Sequence, residues 1–142
     1  MKFKNFLSAI VTVILIFGTL TPCLAAKNIS ALGKVSTQKK YTMYLGTNDK
    51  DTQRQEIPLE EIKTQMHEIC MKHVDGYTLT IAEGYFKDDD GTPYHETSLV
   101  YVFIDASIDS MKKIMDEAIV KFNQSSILLE ETSGKSIFYS AE

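Results

Sequence analysis

Residues 87–96 read KDDDGTPYHE, and they hold the densest group of reactive side-chain types in the chain. Asp88, Asp89 and Asp90 suggest a cation loop. An EF-hand loop needs oxygen ligands at its positions 1, 3 and 5, a glycine at 6 and a glutamate at 12. With Gly91 at position 6, Phe86 falls at 1 and Thr97 at 12, so both ends fail. The simpler reading is an Asp90-Gly91 turn between two strands, because glycine accepts the positive φ of tight turns. Tyr94, His95 and Glu96 then alternate faces along a strand, with His95 pointing away from the other two. His95 has the side-chain chemistry of a general base. Glu83 and Glu96 are the carboxylates able to work with it.

Other chemistry is poorly supported by spacing. His67 and His73 are six apart, which does not stack them on one helical face. His73, at the end of a helical stripe, is expected to meet a free carbonyl and the negative end of the dipole. The chain has no HExxH, CxxC, GxSxG or glycine-rich phosphate loop, so neither a metal nor a cofactor is expected. Met66, Met71, Met111 and Met115 read as core filling. Cys70 reads as a buried thiol near a helix C-terminus, the wrong end for activation.

The elements that would position these residues follow from periodicity. Tyr41–Leu45 alternates as a half-buried strand, and 46–56 is a polar loop. Pro58, with Glu60 and Glu61 behind it, suits a helix start. Leu59, Ile62, Met66, Ile69 and His73 form its stripe, and Gly76 ends the segment. Tyr77–Phe86 is a second strand, with Leu79, Ile81 and Tyr85 on one face. SLVYVFI at 98–104 reads as a central strand covered on both faces. Ser107 caps a second helix with apolar Ile108, Met111, Ile114, Met115, Ala118, Ile119 and Phe122. Its Glu117 stands four residues before Lys121, a surface pair. Strand-like 126–131 and 135–139 flank a turn or bulge at Ser133-Gly134.

Strand-helix-strand-strand-helix-strand is the ferredoxin-like, split βαβ order: an antiparallel α+β sheet with two helices on one face. One domain over 41–142 is expected, after a flexible lead-in at 27–40. The other sheet face is expected to carry Tyr44, Tyr85, Tyr101, Phe103 and Phe138. An uncovered apolar face usually meets a partner, so a homodimer packed sheet to sheet is expected, with Tyr44, Tyr85 and Tyr101 as binding residues.

The chain has 142 residues. Its start, with Lys2 and Lys4, apolar Phe6–Leu20 and small residues around Ala25-Ala26, has the order of a signal peptide over 1–26. The apolar run is short of the ~20 residues of a spanning helix, so no stable membrane span is expected after cleavage. An uncleaved anchor and acylation at Cys23 are the alternatives. Loss of Lys2 and Lys4 takes the formal charge from −4 to −6. That acidity argues against nucleic acid, whose binders carry basic patches. The mature protein is expected to be secreted or extracytoplasmic.

Four stretches resemble the bacterial family catalogued as Domain of Unknown Function 3574, which comprises small exported proteins. They are MYLG at 43–46, GYTLTIAEGYF at 76–86, Glu96 leading into SLVYVFI, and FNQSSILLEE at 122–131. The resemblance spans Tyr41 to Tyr139. Two departures stand out: Tyr85-Phe86 where the family often has tryptophan, and the acidic Asp88–Asp90 insertion. The resemblance implies a compact exported ferredoxin-like domain and no particular activity. The function expected is therefore binding of a small molecule or protein without catalysis. The alternative is a small enzyme of the dimeric α+β barrel type, with a pocket between sheet and helices and Tyr44, Glu83, Tyr85, His95 and Glu96 as candidates.

Overall fold

A computed structural model of the chain describes residues 28–88 and 90–141. The expected signal peptide and Cys23 lie outside the described residues. A 3-10 turn, Ile29–Leu32, leads to β1 (Ser36–Gly46), α1 (Leu59–Met71), β2 (Thr78–Lys87), β3 (Pro93–Ile104), α2 (Ile108–Lys121) and β4 (Leu128–Ser136). The sheet order is β2-β3-β1-β4, every pair antiparallel. This is the expected ferredoxin-like α+β fold.

Local chemistry explains the helices. The Pro58 carbonyl accepts the N–H groups of Glu61 and Ile62 at 2.9 and 3.0 Å, opening α1. The Ser107 hydroxyl accepts the Ser110 N–H at 3.0 Å, capping α2 as expected. Helix α1 buries Ile62, Met66, Ile69 and Cys70, and α2 buries Met111, Ile114 and Ala118. They cover Tyr41, Met43 and Leu45 of β1 and Leu99, Tyr101 and Phe103 of β3. Each large side chain so buried contributes roughly 1.5–3 kcal/mol.

Strand parity corrects the expected open face. Met43 pairs with Tyr101, and Tyr41 with Phe103, so these aromatics share the helix-covered face with the core methionine. Tyr101 and Phe103 are fully buried, because the space between two helices and the sheet needs large side chains. Tyr85 also points to the helix side, through the register Leu79–Tyr101 and Tyr85–His95. It lies past the helices and is exposed. The open face carries Tyr44 as expected, with Phe86, Tyr94, Val100, Val102 and Leu128 beside it.

The edges differ too. Strand β1 begins at Ser36, inside the segment expected to be a flexible lead-in, because Ser36–Lys40 pair with Thr132–Ser136 of β4. That pairing also carries β4 straight through Ser133-Gly134, where a turn or bulge was expected. Phe138 and Tyr139 lie beyond the sheet and are exposed. Helix α1 stops at Met71, and it is the His73 backbone N–H, not its ring, that meets a helix carbonyl, that of Cys70, at 2.9 Å. The ring Nε2 lies 2.6 Å from Glu117 Oε1 instead, and Lys72 reaches the other Glu117 oxygen at 3.0 Å. Glu117 thus clasps the two helices rather than pairing with Lys121. The His73 hydrogen bond first, and Lys72 second, hold its carboxyl below the ordinary carboxylate range.

Candidate functional site

The acidic hairpin resolves first. Gly91 takes φ 81°, as the Asp90-Gly91 turn requires. Asp88 is not merely solvated. Its carboxylate accepts the N–H groups of Asp90 at 3.1 Å and Thr92 at 2.8 Å, fixing the loop from inside. Asp89 lies outside the described residues. Among the described residues, no group of three or more His, Cys, Asp or Glu side chains could hold a metal.

The candidates then separate by face. Glu83, Tyr85 and His95 share the helix side of the hairpin end. Tyr85 Oη donates to Glu83 Oε2 at 3.0 Å, and His95 Nε2 lies 3.0 Å from the same oxygen. The Tyr85 and His95 rings stack at 4.6 Å, as a directly opposed cross-strand pair does. The Glu83 hydrogen bond raises the Tyr85 hydroxyl above its usual range. These three are exposed side chains at the hairpin end. Their contacts stabilise a hairpin, and water surrounds any proton they would move. Tyr44 and Glu96 lie on the opposite face, so the five residues of the enzyme alternative do not converge.

Glu96 has a different setting. It sits opposite Gly84 on β3, and its carboxylate reaches across β1. A Cβ placed on Gly46 would stand 2.4 Å from Glu96 Oε2. One placed on Gly84 would meet Ser98 Oγ at 2.5 Å and Glu96 Cγ at 3.5 Å. Two glycines, one on each of the strands that flank β3, therefore make the trough in which the Glu96 side chain lies. Among the described residues its carboxylate takes one hydrogen bond, from the Asn48 N–H at 3.3 Å. An ionised carboxylate has about four acceptor sites, so most of this one's capacity is free.

A half-open cleft of about 420 Å³ stands over that trough. Tyr44, Phe86 and Leu128 supply its apolar walls, and Ser98 its floor. Two loops close its end, Asn48 to Gln53 from one side and Gln124 to Ser126 from the other. Those loops are stapled together. The Asn123 amide donates to Asp49 and Asp51 at 2.8 Å each, and Gln124 Nε2 donates to the Asn48 carbonyl at 2.8 Å. The Asn123 contact, then the Asp51 and Thr52 N–H groups, hold Asp49 below the usual carboxylate range. Asn123 takes φ 47°, a left-handed conformation asparagine tolerates better than most residues. Tyr44 Oη donates to Glu130 at 2.9 Å, which raises the Tyr44 hydroxyl and leaves its ring as the wall.

The sequence identified Tyr44 and Glu96 as site residues. It did not identify Gly46, Gly84, Phe86, Lys50 or Gln124 as such. The signal was present: Gly46, Gly84, Phe86, Glu96 and Gln124 all fall in the four stretches quoted above, and the fold brings those stretches to one place. Tyr101, expected as a binding residue, is a core residue whose hydroxyl is buried with no partner among the described residues.

A larger groove of about 530 Å³ runs between α1 and α2, lined by Gln65, Ile69 and Val120. Its one multiply bonded carboxylate, Glu117, is already engaged, and it is more open than the Glu96 cleft. Among the described residues no helix is long and apolar enough to cross a membrane.

No family model matches the chain, and no curated protein matches it. Solved structures do share its fold. A phage SAM lyase in complex with S-methyl-5'-thioadenosine is similar at 16% identity and a TM-score of 0.55, covering 72% of this chain and 93% of that one. A phage SAM lyase in the apo state is similar at 16% identity and a TM-score of 0.50, covering 77% and 96%. At that identity the likeness is one of α+β, ferredoxin-like fold.

Proposed function

We propose that this protein is a non-enzymatic extracytoplasmic binding domain whose ligand occupies the open-face cleft over Glu96. The observation that carries this reading is the Glu96 carboxylate, laid in a trough of two glycines and left with one weak donor. A side chain serving only the fold would have its acceptors filled or would stand in open water. The cleft volume is in the range of small-molecule sites, ~300–1,000 Å³. One of the similar phage lyase structures holds a small molecule, which makes a small molecule the first occupant to test. The resemblance to Domain of Unknown Function 3574 fits as well, since its motif glycines and glutamine frame the same cleft. Against catalysis stands the separation of Glu83 and His95 from Tyr44 and Glu96 on opposite faces.

A second copy of the chain fits the rest of the open face. Lys40 lies towards one end of that face, opposite Ile104, and Glu96 towards the other, opposite Gly84. Two copies turned end over end would set these charges against each other, cover Val100 and Val102, and roof the cleft. Light scattering after size exclusion tests the dimer, and a monomer at micromolar concentration removes it.

The binding reading is tested by screening small-molecule fragments against the isotope-labelled protein by NMR. Amide shifts should concentrate at Gly46, Asn48, Gln124 and Ser126. Shifts confined to the groove between α1 and α2, or none at all, would overturn the reading.

A further inference from the structure

We infer that the ligand of the Glu96 cleft is a free α-amino acid with an apolar or aromatic side chain; the inference rests on the cleft being a ligand site. The cleft presents one carboxylate and one ammonium to the same space. Glu96 offers unused acceptor positions at the base. Lys50 stands at the rim, exposed, and its ammonium forms no ion pair among the described residues. Its backbone is nonetheless held: the Lys50 N–H donates to the Asn123 carbonyl at 3.0 Å, and its carbonyl accepts from Gln53 Nε2 at 2.7 Å. A fixed backbone gives the lysine a limited region to sweep, next to the cleft mouth.

The nearby second carboxylate does not compete. Glu130 holds the Tyr44 hydroxyl outside the cleft lining, so Glu96 is the one acid among the cleft's lining residues. A ligand that satisfies both Glu96 and Lys50 carries a positive and a negative group together. Between and beside them the walls are the Tyr44 and Phe86 rings and the Leu128 side chain. An amine alone leaves Lys50 unanswered, and an anion alone meets Glu96 at close range. An amino acid places its ammonium on Glu96, its carboxylate on Lys50 and its side chain on the apolar wall. Each such charge-assisted contact is stronger than a neutral one.

The experiment compares L-phenylalanine with its two halves, phenethylamine and 3-phenylpropionate, by calorimetry and amide-shift titration on the full chain. Phenylalanine is expected to bind at least about tenfold more tightly than either. Glu96→Gln and Lys50→Met are each expected to weaken it by about tenfold or more, with thermal melts confirming that both variants fold. Lys50 lies on an exposed loop, so its variant keeps the test alive if Glu96→Gln is unstable. Equal binding of phenethylamine, or an unaffected Lys50→Met, overturns the zwitterion. Fragment binding at Gly46 and Gln124 with no response to any of the three compounds also overturns it while leaving the ligand site in place. An absence of binding by fragments and amino acids alike removes both.

Discussion

The two faces of the sheet are made by alternate residues of the same strands, yet they are filled on different principles. On the helix side, Tyr41, Met43, Leu99, Tyr101 and Phe103 are closed off from water, and close packing sets which side chain stands where. On the open side, Thr42, Tyr44, Val100 and Val102 are half-buried, and glycines at 46 and 84 leave room instead of filling it. Glu96 occupies that room. The helix side holds the fold together, and the open side keeps one polar group in reach of solvent. The same residue type therefore has opposite meanings on the two faces: an aromatic ring is packing on one and a cleft wall on the other.

Matched substitutions across the faces test this contrast most strongly. Phe103→Ala should cost about 3–5 kcal/mol in denaturant unfolding, the range for a buried phenylalanine. Phe86→Ala, at 41% exposure, should cost less than about 1 kcal/mol and still weaken any cleft ligand. Equal losses at the two positions would mean that the open face is as packed as the core.

Gly46→Ala sharpens the contrast within the open face. The added methyl meets the tip of Glu96, a flexible end that moves aside, so the stability change should stay within about 1 kcal/mol. Ligand binding should be lost. An unfolded variant would show that Gly46 serves the sheet and not the cleft.

Tyr101→Phe probes the helix side by a smaller step. It removes a buried hydroxyl that lacks a partner, whose burial costs about 1–3 kcal/mol, so the melting temperature should hold or rise. Binding at the cleft should be unchanged. A drop in stability would reveal a hydrogen bond that this hydroxyl makes.

The clasp between the helices should show the smallest effect. The folded Glu117 carboxyl titrates below its unfolded value, so its stabilisation is present above the ordinary carboxylate value and fades as pH falls through the lowered one. Glu117→Gln should lower the melting temperature slightly at neutral pH, and the gap to the unaltered protein should close on acidification below that range. A gap that persists in acid would assign the loss to packing.

Cys70 gives a qualitative check on the core. Burial pushes its thiol up to about 12. In a Cys23→Ser background, the native protein should resist thiol reagents that label it rapidly once unfolded.

Local pattern was enough for much of the architecture. The spacing of Ile62, Met66 and Ile69 fixes a helix and its buried side, Ser107 starts the next one, and alternation at Tyr41, Met43 and Leu45 assigns the inward face of β1. These are short-range constraints, set by backbone periods of 3.6 and 2. Asp90-Gly91 likewise marks its own turn. What the sequence could not supply was the pairing register, which depends on residues far apart in the chain. Register sends Tyr101 and Phe103 inward, places Tyr85 across from Tyr44, and extends β4 through Ser133-Gly134 by giving it a partner from Ser36 onward. Register also decides that the Tyr-His-Glu run of the hairpin splits between two environments, His95 to a solvated stack and Glu96 to the cleft. Only tertiary structure could lay that carboxylate over two glycines from different strands, because a trough of absent side chains leaves no periodic trace in any one of them.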